Sequence, residues 1–89
     1  MASYRLSIKK SATKEVERIE PRKVRRAIVR RIEALSENPR PSGSEKLSAG
    51  REEYRIRQGD WRIVYEIRDT ECLVVVVKVG NRRDVYRRL

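Results

Sequence analysis

Residues 52–67, EEYRIRQGDWRIVYEI, alternate with period two on either side of a Gly59-Asp60 pair. Tyr54 and Ile56 fall on one side of an extended chain, with Arg55 and Arg57 on the other. After the turn, Trp61, Ile63, Tyr65 and Ile67 share a side, with Arg62 opposite them. Folding about Gly59-Asp60 sets Tyr54 across from Tyr65, Ile56 across from Ile63 and Arg57 across from Arg62. A two-residue and a four-residue loop give this same register. Like charges directly opposite each other in a sheet are unfavourable by a few tenths to about 1 kcal/mol. The Arg57–Arg62 pair therefore predicts an anion between or above the two guanidinium groups.

Downstream, RDTE turns the chain into CLVVVVKV (residues 72–79). This run is apolar on both faces, as in a central strand covered on both sides. Pairing Tyr65 with Val75 would set Arg62 beside Lys78. Arg57, Arg62 and Lys78 would then form a row across three strands, flanked by Val64, Val74 and Val76. The tail GNRRDVYRRL leaves the sheet at Gly80.

Upstream, NPRPSGSEKLSAGREE (residues 38–53) holds two prolines and two glycines and reads as a loop. At about 15 residues it is long enough to be functional or mobile. Before it, Val24, Ala27, Ile28, Ile32 and Leu35 form one helical stripe, with Arg22, Arg25, Arg26, Arg30 and Glu33 largely off it. Ala12, Val16 and Ile19 recur at helical spacing behind Ser11, a candidate N-cap, and Pro21 breaks that helix. SYRLSI (residues 3–8) reads as a first strand. The expected fold is α+β, ordered β-α-α-β-β-β, with two helices on one face of a four-stranded, mainly antiparallel sheet. The arginine row lies on the other face.

Eighty-nine residues imply one domain spanning 1–89, and 38% hydrophobic residues imply a thin core. Lys and Arg number 23 against 13 Asp and Glu, a net charge of +10 that favours polyanionic partners. Arginine outnumbers lysine in the second half, which suits phosphate recognition. With no histidine and one cysteine, the chain lacks ligands for a zinc-type site and cannot form an internal disulfide. Cys72 at a strand start reads as a buried structural thiol. No segment approaches the roughly 18 apolar residues of a membrane span, so a soluble, cytoplasmic protein is expected.

Catalytic sets that need histidine are excluded, and SAGREE lacks the ending of a nucleotide-binding loop. What remains is Arg55, Arg57, Arg62, Lys78, Arg82 and Arg83, with Tyr86. Such a set can cleave RNA without a metal, because the substrate brings its own 2'-hydroxyl nucleophile. The protein orients that group, neutralises charge on the phosphorane and helps the 5'-oxygen leave. Guanidinium groups suit the second task and are poor proton acceptors. From the residues alone, nucleic-acid binding is supported and catalysis is not, so binding without chemistry stays open beside cleavage.

YRIRQGDWRIVYEI, the all-valine strand and VGNRRDVYRRL together resemble the RelE branch of the RelE/ParE toxin superfamily, over nearly the whole chain. The resemblance implies a type II toxin that cleaves mRNA in the ribosomal A site without a cofactor, leaving a 2',3'-cyclic phosphate and a 5'-hydroxyl. It implies that Arg62 and Arg82 stabilise the phosphorane, that Tyr86 stacks on or orients a base, and that Arg55 and Arg57 hold phosphates or assist proton transfer. Lys78 and Arg83 would add RNA contacts. Some members carry lysines at the positions of Arg55 and Arg57, and many have histidine at Asn81, whose amide cannot act as acid or base.

The resemblance also implies a RelB-like antitoxin, an acidic amphipathic segment wrapping a toxin that alone is monomeric. Arg22, Arg25, Arg26 and Arg30 are open to antitoxin, ribosomal RNA or solvent. Two other readings stand beside the nuclease: a ParE-like gyrase inhibitor, and an RNA-binding relative with weakened catalysis.

Overall fold

The chain runs β1 (Arg5–Ile8), α1 (Lys10–Glu17), α2 (Arg22–Ala34), β2 (Glu45–Lys46), β3 (Glu53–Gln58), β4 (Trp61–Arg68) and β5 (Leu73–Asn81) in the computed structural model, which describes residues 3–47 and 52–81. The strands form one sheet in the order β1-β5-β4-β3-β2, with β1 parallel to β5 and the other pairs antiparallel. The α+β class and the helix-on-sheet arrangement agree with the expectation.

The central hairpin has the register that its alternation demands: Tyr54 faces Tyr65, Ile56 faces Ile63 and Arg57 faces Arg62. Gly59, at φ +61°, fills the first position of the two-residue loop, where a primed hairpin turn needs left-handed backbone. Ile28, Ile32 and Leu35 of the α2 stripe bury themselves with Ala12 and Ile19 against Ile56, Ile63, Tyr65 and Ile67. Removal of apolar surface from water there drives the layering.

Three expectations need correction. First, the sheet has five strands, because Glu45 and Lys46, within the expected loop, pair with Arg55 and Tyr54. A two-residue strand is too short to show periodicity. It forms because β3 would otherwise present an unpaired edge.

Second, the β4–β5 register differs from a Tyr65–Val75 pairing. Tyr65 faces Val76 and Val64 faces Lys78, so Val77 is the extra residue of a bulge. A shift by one residue exchanges the faces of a strand. Val74 and Val76 accordingly lie in the core rather than on the outer face, and Arg62 stands opposite Gly80 rather than Lys78. Strict alternation from Val74 and Val76 would have driven the Lys78 ammonium into the core. The bulge sends Val79, which is 1% exposed, there instead.

Third, two local assignments move. The N-cap of α1 is Lys9 rather than Ser11, and Cys72 is exposed rather than buried. Cys72 closes the 3₁₀ turn Asp69–Glu71 with a left-handed backbone at φ +49°, as a sharp reversal into β5 requires. The Glu20–Pro21 peptide is cis, and Pro21 caps α2.

Candidate functional site

Alternation along β3 and β4 carries Arg55, Arg57, Arg62 and Val64 to the sheet face opposite the helices. Of the sequence-predicted residues, Arg55, Arg57 and Arg62 are thus brought together on neighbouring strands. Arg57 is the open one, with its side chain 56% exposed, whereas Arg55 and Arg62 each retain only 7% of their surface. Arg62 is fixed by the hairpin turn: its Nη1 donates to the carbonyls of Gly59 and Trp61, both at 3.1 Å. Arg57 is anchored from below through its backbone, whose carbonyl accepts from Arg31 Nη2 of α2 at 3.4 Å.

The sequence reading left the Arg57–Arg62 repulsion to a bound phosphate. Part of the answer is intramolecular. Glu45 of β2 places Oε2 2.6 Å from Arg55 Nη2 and Oε1 3.9 Å from Arg57 Nη2. One carboxylate therefore stands before two of the three guanidinium groups. Glu45 was not among the expected site residues, because its strand has no sequence pattern of its own.

The opposite end of this face is acidic. Glu53 and Glu66 oppose each other across β3 and β4, and Glu66 pairs with Arg68 at 3.3 Å. Charge along the face is therefore uneven, with carboxylates at the Glu53–Glu66 end and guanidinium groups at the Arg57–Arg62 end.

Lys78 does not join the row. Its ammonium pairs with Glu15 of α1, and the two side chains are 16% and 23% exposed. Glu15 Oε1 also accepts the Val79 N–H at 3.0 Å, on the edge of β5 that β1 leaves open beyond Val76. Lys78 thus fastens a helix to the sheet. Arg82, Arg83 and Tyr86 lie outside the described residues. Asn81 ends β5 opposite Trp61.

A second polar cluster, also missed from sequence, sits at the other end of the hairpin. Arg40 donates to Asp69 Oδ2 at 2.8 Å, to Glu52 Oε2 at 3.2 Å and to the Tyr54 hydroxyl at 3.1 Å. Its guanidinium carbon also lies 5.2 Å from the centre of the Tyr54 ring. The Asp69 hydrogen bond does most to raise the Arg40 pKa. In turn Arg40 and Tyr4 hold Asp69 below the usual carboxylate range, while Tyr54, Lys46 and Arg40 do the same for Glu52. Tyr65 donates to the Pro39 carbonyl at 2.7 Å. These bonds hold the segment after α2 to the sheet and deliver the chain to Glu45. Among the described residues no group of three or more His, Cys, Asp or Glu could hold a metal ion. Nor is any described helix long and apolar enough to cross a membrane.

Residues 6–86 match the family model described as the ParE toxin of type II toxin-antitoxin system, parDE. The chain belongs to this toxin family. The toxin is 26% identical to Toxin RelG of Mycobacterium tuberculosis over 85 residues, covering 96% of this chain and 98% of that one. Its fold resembles RelE in the archaeal RelE–RelB complex from Pyrococcus horikoshii, with a TM-score of 0.80 and 26% identity over 90% of this chain and 96% of that one. It also resembles the isolated Escherichia coli RelE toxin, with a TM-score of 0.76 and 26% identity over 98% of this chain and all of that one. The RelE/ParE resemblance read from the hairpin and tail is thereby established.

Proposed function

We propose that this toxin is a RelE-like endoribonuclease that cuts mRNA on the ribosome, arresting translation. The observation that carries this reading is the gathering of Arg55, Arg57 and Arg62 on one sheet face, in a chain whose solved relatives include RelE toxins. In the proposed reaction the substrate's 2'-oxygen bonds to phosphorus and the bond to the 5'-oxygen breaks. The products are a 2',3'-cyclic phosphate and a 5'-hydroxyl. Arg57 and Arg62, charged at any relevant pH, neutralise the phosphorane. Arg55 organises the face through Glu45. Arg82 and Tyr86 are assigned to the phosphorane and to base stacking on the strength of the family resemblance, and Arg83 to RNA contact.

An antitoxin partner is part of the proposal, since the similar structure from Pyrococcus horikoshii is a RelE–RelB complex and the Escherichia coli toxin is similar to this chain also in its intact RelBE toxin-antitoxin complex. A segment rich in acidic residues suits a surface of net charge +10. The family description names ParE, which keeps a second reading, gyrase inhibition, in view. Two assays separate them. Primer extension on mRNA in a translation extract shows discrete cuts if the nuclease reading is right. Inhibited DNA supercoiling with mRNA left intact supports the gyrase reading instead.

A further inference from the structure

We infer that a cleft beneath the tip of the β3–β4 hairpin takes one nucleobase of the RNA, a base carrying an exocyclic amine. The subsite rests on the nuclease reading for the identity of its ligand as RNA. At the tip, β3, β4 and β5 carry a row of paired residues, Gln58, Trp61 and Asn81. Alternation turns them to the helix side, the side of Ile56, Ile63 and Val79. Those three are at most 1% exposed, whereas Gln58, Trp61 and Asn81 are half-buried. The start of α2 lines the other side with Val24 and Ala27, leaving a cleft of about 360 Å³. Small-molecule sites commonly span about 300–1,000 Å³. Exposed Lys23 and Asp60 line it as well.

This lining has the chemistry of a base subsite. Trp61 supplies an indole on which a base can stack. Gln58 brings an amide with donors and an acceptor, and Asp60 a carboxylate that only accepts. Among the described residues, the side chains of Lys23, Gln58, Asp60 and Trp61 make no hydrogen bond or ion pair. An exposed carboxylate without a cation, in a chain of net charge +10, is a ready acceptor for an outside donor. A flat heterocycle with polar groups in its plane matches an indole ringed by an amide and a carboxylate.

Continuity with Arg62 favours a base over a partner protein's side chain. Arg62 Nη1 donates to the carbonyls of Gly59 and Trp61, and both residues line the cleft. A phosphate seated on Arg62 therefore sits beside it. The neighbouring nucleotide reaches the cleft by turning over the end of the hairpin, where Lys23 attracts its phosphate. Asp60 decides which base is accepted. The amines of cytosine, adenine and guanine donate to a carboxylate, whereas the uracil carbonyls are repelled by it.

The test uses the chain's single tryptophan, Trp61, as its own probe. Full-length protein is titrated at low salt with 2'-O-methyl hexamers of C, A or U, which lack the nucleophile. Indole emission reports the cleft, and anisotropy of an end label reports total binding. Hexamers of C and A are expected to quench Trp61 saturably, with U at least about fivefold weaker. Asp60→Asn, whose amide both donates and accepts, is expected to close most of that gap. Ala27→Leu, which fills the cleft, is expected to abolish quenching while anisotropy still shows binding to the arginine face. Thermal melts accompany each variant. Asp60 lies in an exposed turn, so its variant carries the test if Ala27→Leu melts early. Hexamers that fail to bind, or that bind without quenching, overturn the subsite and leave the cleft to a partner protein. An unchanged gap between C and U in Asp60→Asn overturns the selection, and full quenching by a folded Ala27→Leu overturns the location. A protein that quenches as expected but cuts no mRNA loses the nuclease reading and keeps the cleft.

Discussion

Arg40 Nη2 lies 2.8 Å from Asp69 Oδ2, joining the segment that follows α2 to the turn that follows β4. The same guanidinium reaches Glu52 and Tyr54 at the start of β3, and Tyr4 donates to Asp69 at 2.6 Å. A planar group with several donors suits such a junction in a way an ammonium does not. The junction matters for the site because β2, with Glu45, is what the fastened segment leads into.

Arg40→Ala and Arg40→Lys are therefore expected to lower the melting temperature by a few degrees at neutral pH. The pH dependence follows from Asp69 and Glu52, whose carboxyls are held below their ordinary range. A carboxyl depressed in the folded state contributes stability fully above its unfolded value near 4, and loses it as pH falls through the lower folded value. The gap between parent and Arg40→Ala should thus be wide at pH 7 and narrow below about pH 4, as read by thermal melts across that range. A gap that stays constant with pH would contradict the charge pairing.

Tyr65 supplies the alkaline counterpart. Burial pushes its phenol up to about 12. A group whose folded value is raised contributes stability below its unfolded value, about 10 for tyrosine, and loses it as pH rises through the folded one. Stability should fall between about pH 10 and about 12, and Tyr65→Phe should blunt that fall. At neutral pH the variant should cost about 1–2 kcal/mol, because the Pro39 carbonyl loses its buried donor. Chemical denaturation at pH 7 and at pH 11 checks both statements.

Lys78 provides a test of the corrected register. Lys78→Ala leaves Glu15 without its ammonium partner and should destabilise the fold by about 1–2 kcal/mol. Cleavage by the folded variant should remain within a few fold of the parent. A large loss of cleavage at unchanged stability would return Lys78 to the RNA-binding row.

How far the sequence revealed this molecule differs between its parts. The β3–β4 hairpin was fully legible, because unbroken alternation on both sides of Gly59 leaves one register that buries Tyr54, Ile56, Ile63 and Tyr65 together. The α2 stripe was legible for the same reason at helical period. The β4–β5 register was not, since a run of four valines has no polar face to fix it. Only the need to keep Lys78 out of the core settles where the extra residue goes. Glu45 and Arg40 were hidden because both lie in a proline- and glycine-rich stretch whose partners, Arg55 and Asp69, are set by the tertiary fold. Three arginines of the site were therefore visible from sequence, while the carboxylate that faces two of them was not.

The central claim is that the outer sheet face is where mRNA is cut, and Arg57→Ala tests it most directly. That side chain is 56% exposed, so its removal takes a charge from the face without opening the core. The measurement is the single-turnover rate of mRNA cleavage on programmed ribosomes, with thermal melts run alongside. A fall of about 100-fold or more at unchanged stability, with the parent leaving 5'-hydroxyl ends, is the predicted result. Undiminished cleavage by a well-folded Arg57→Ala would place the chemistry elsewhere.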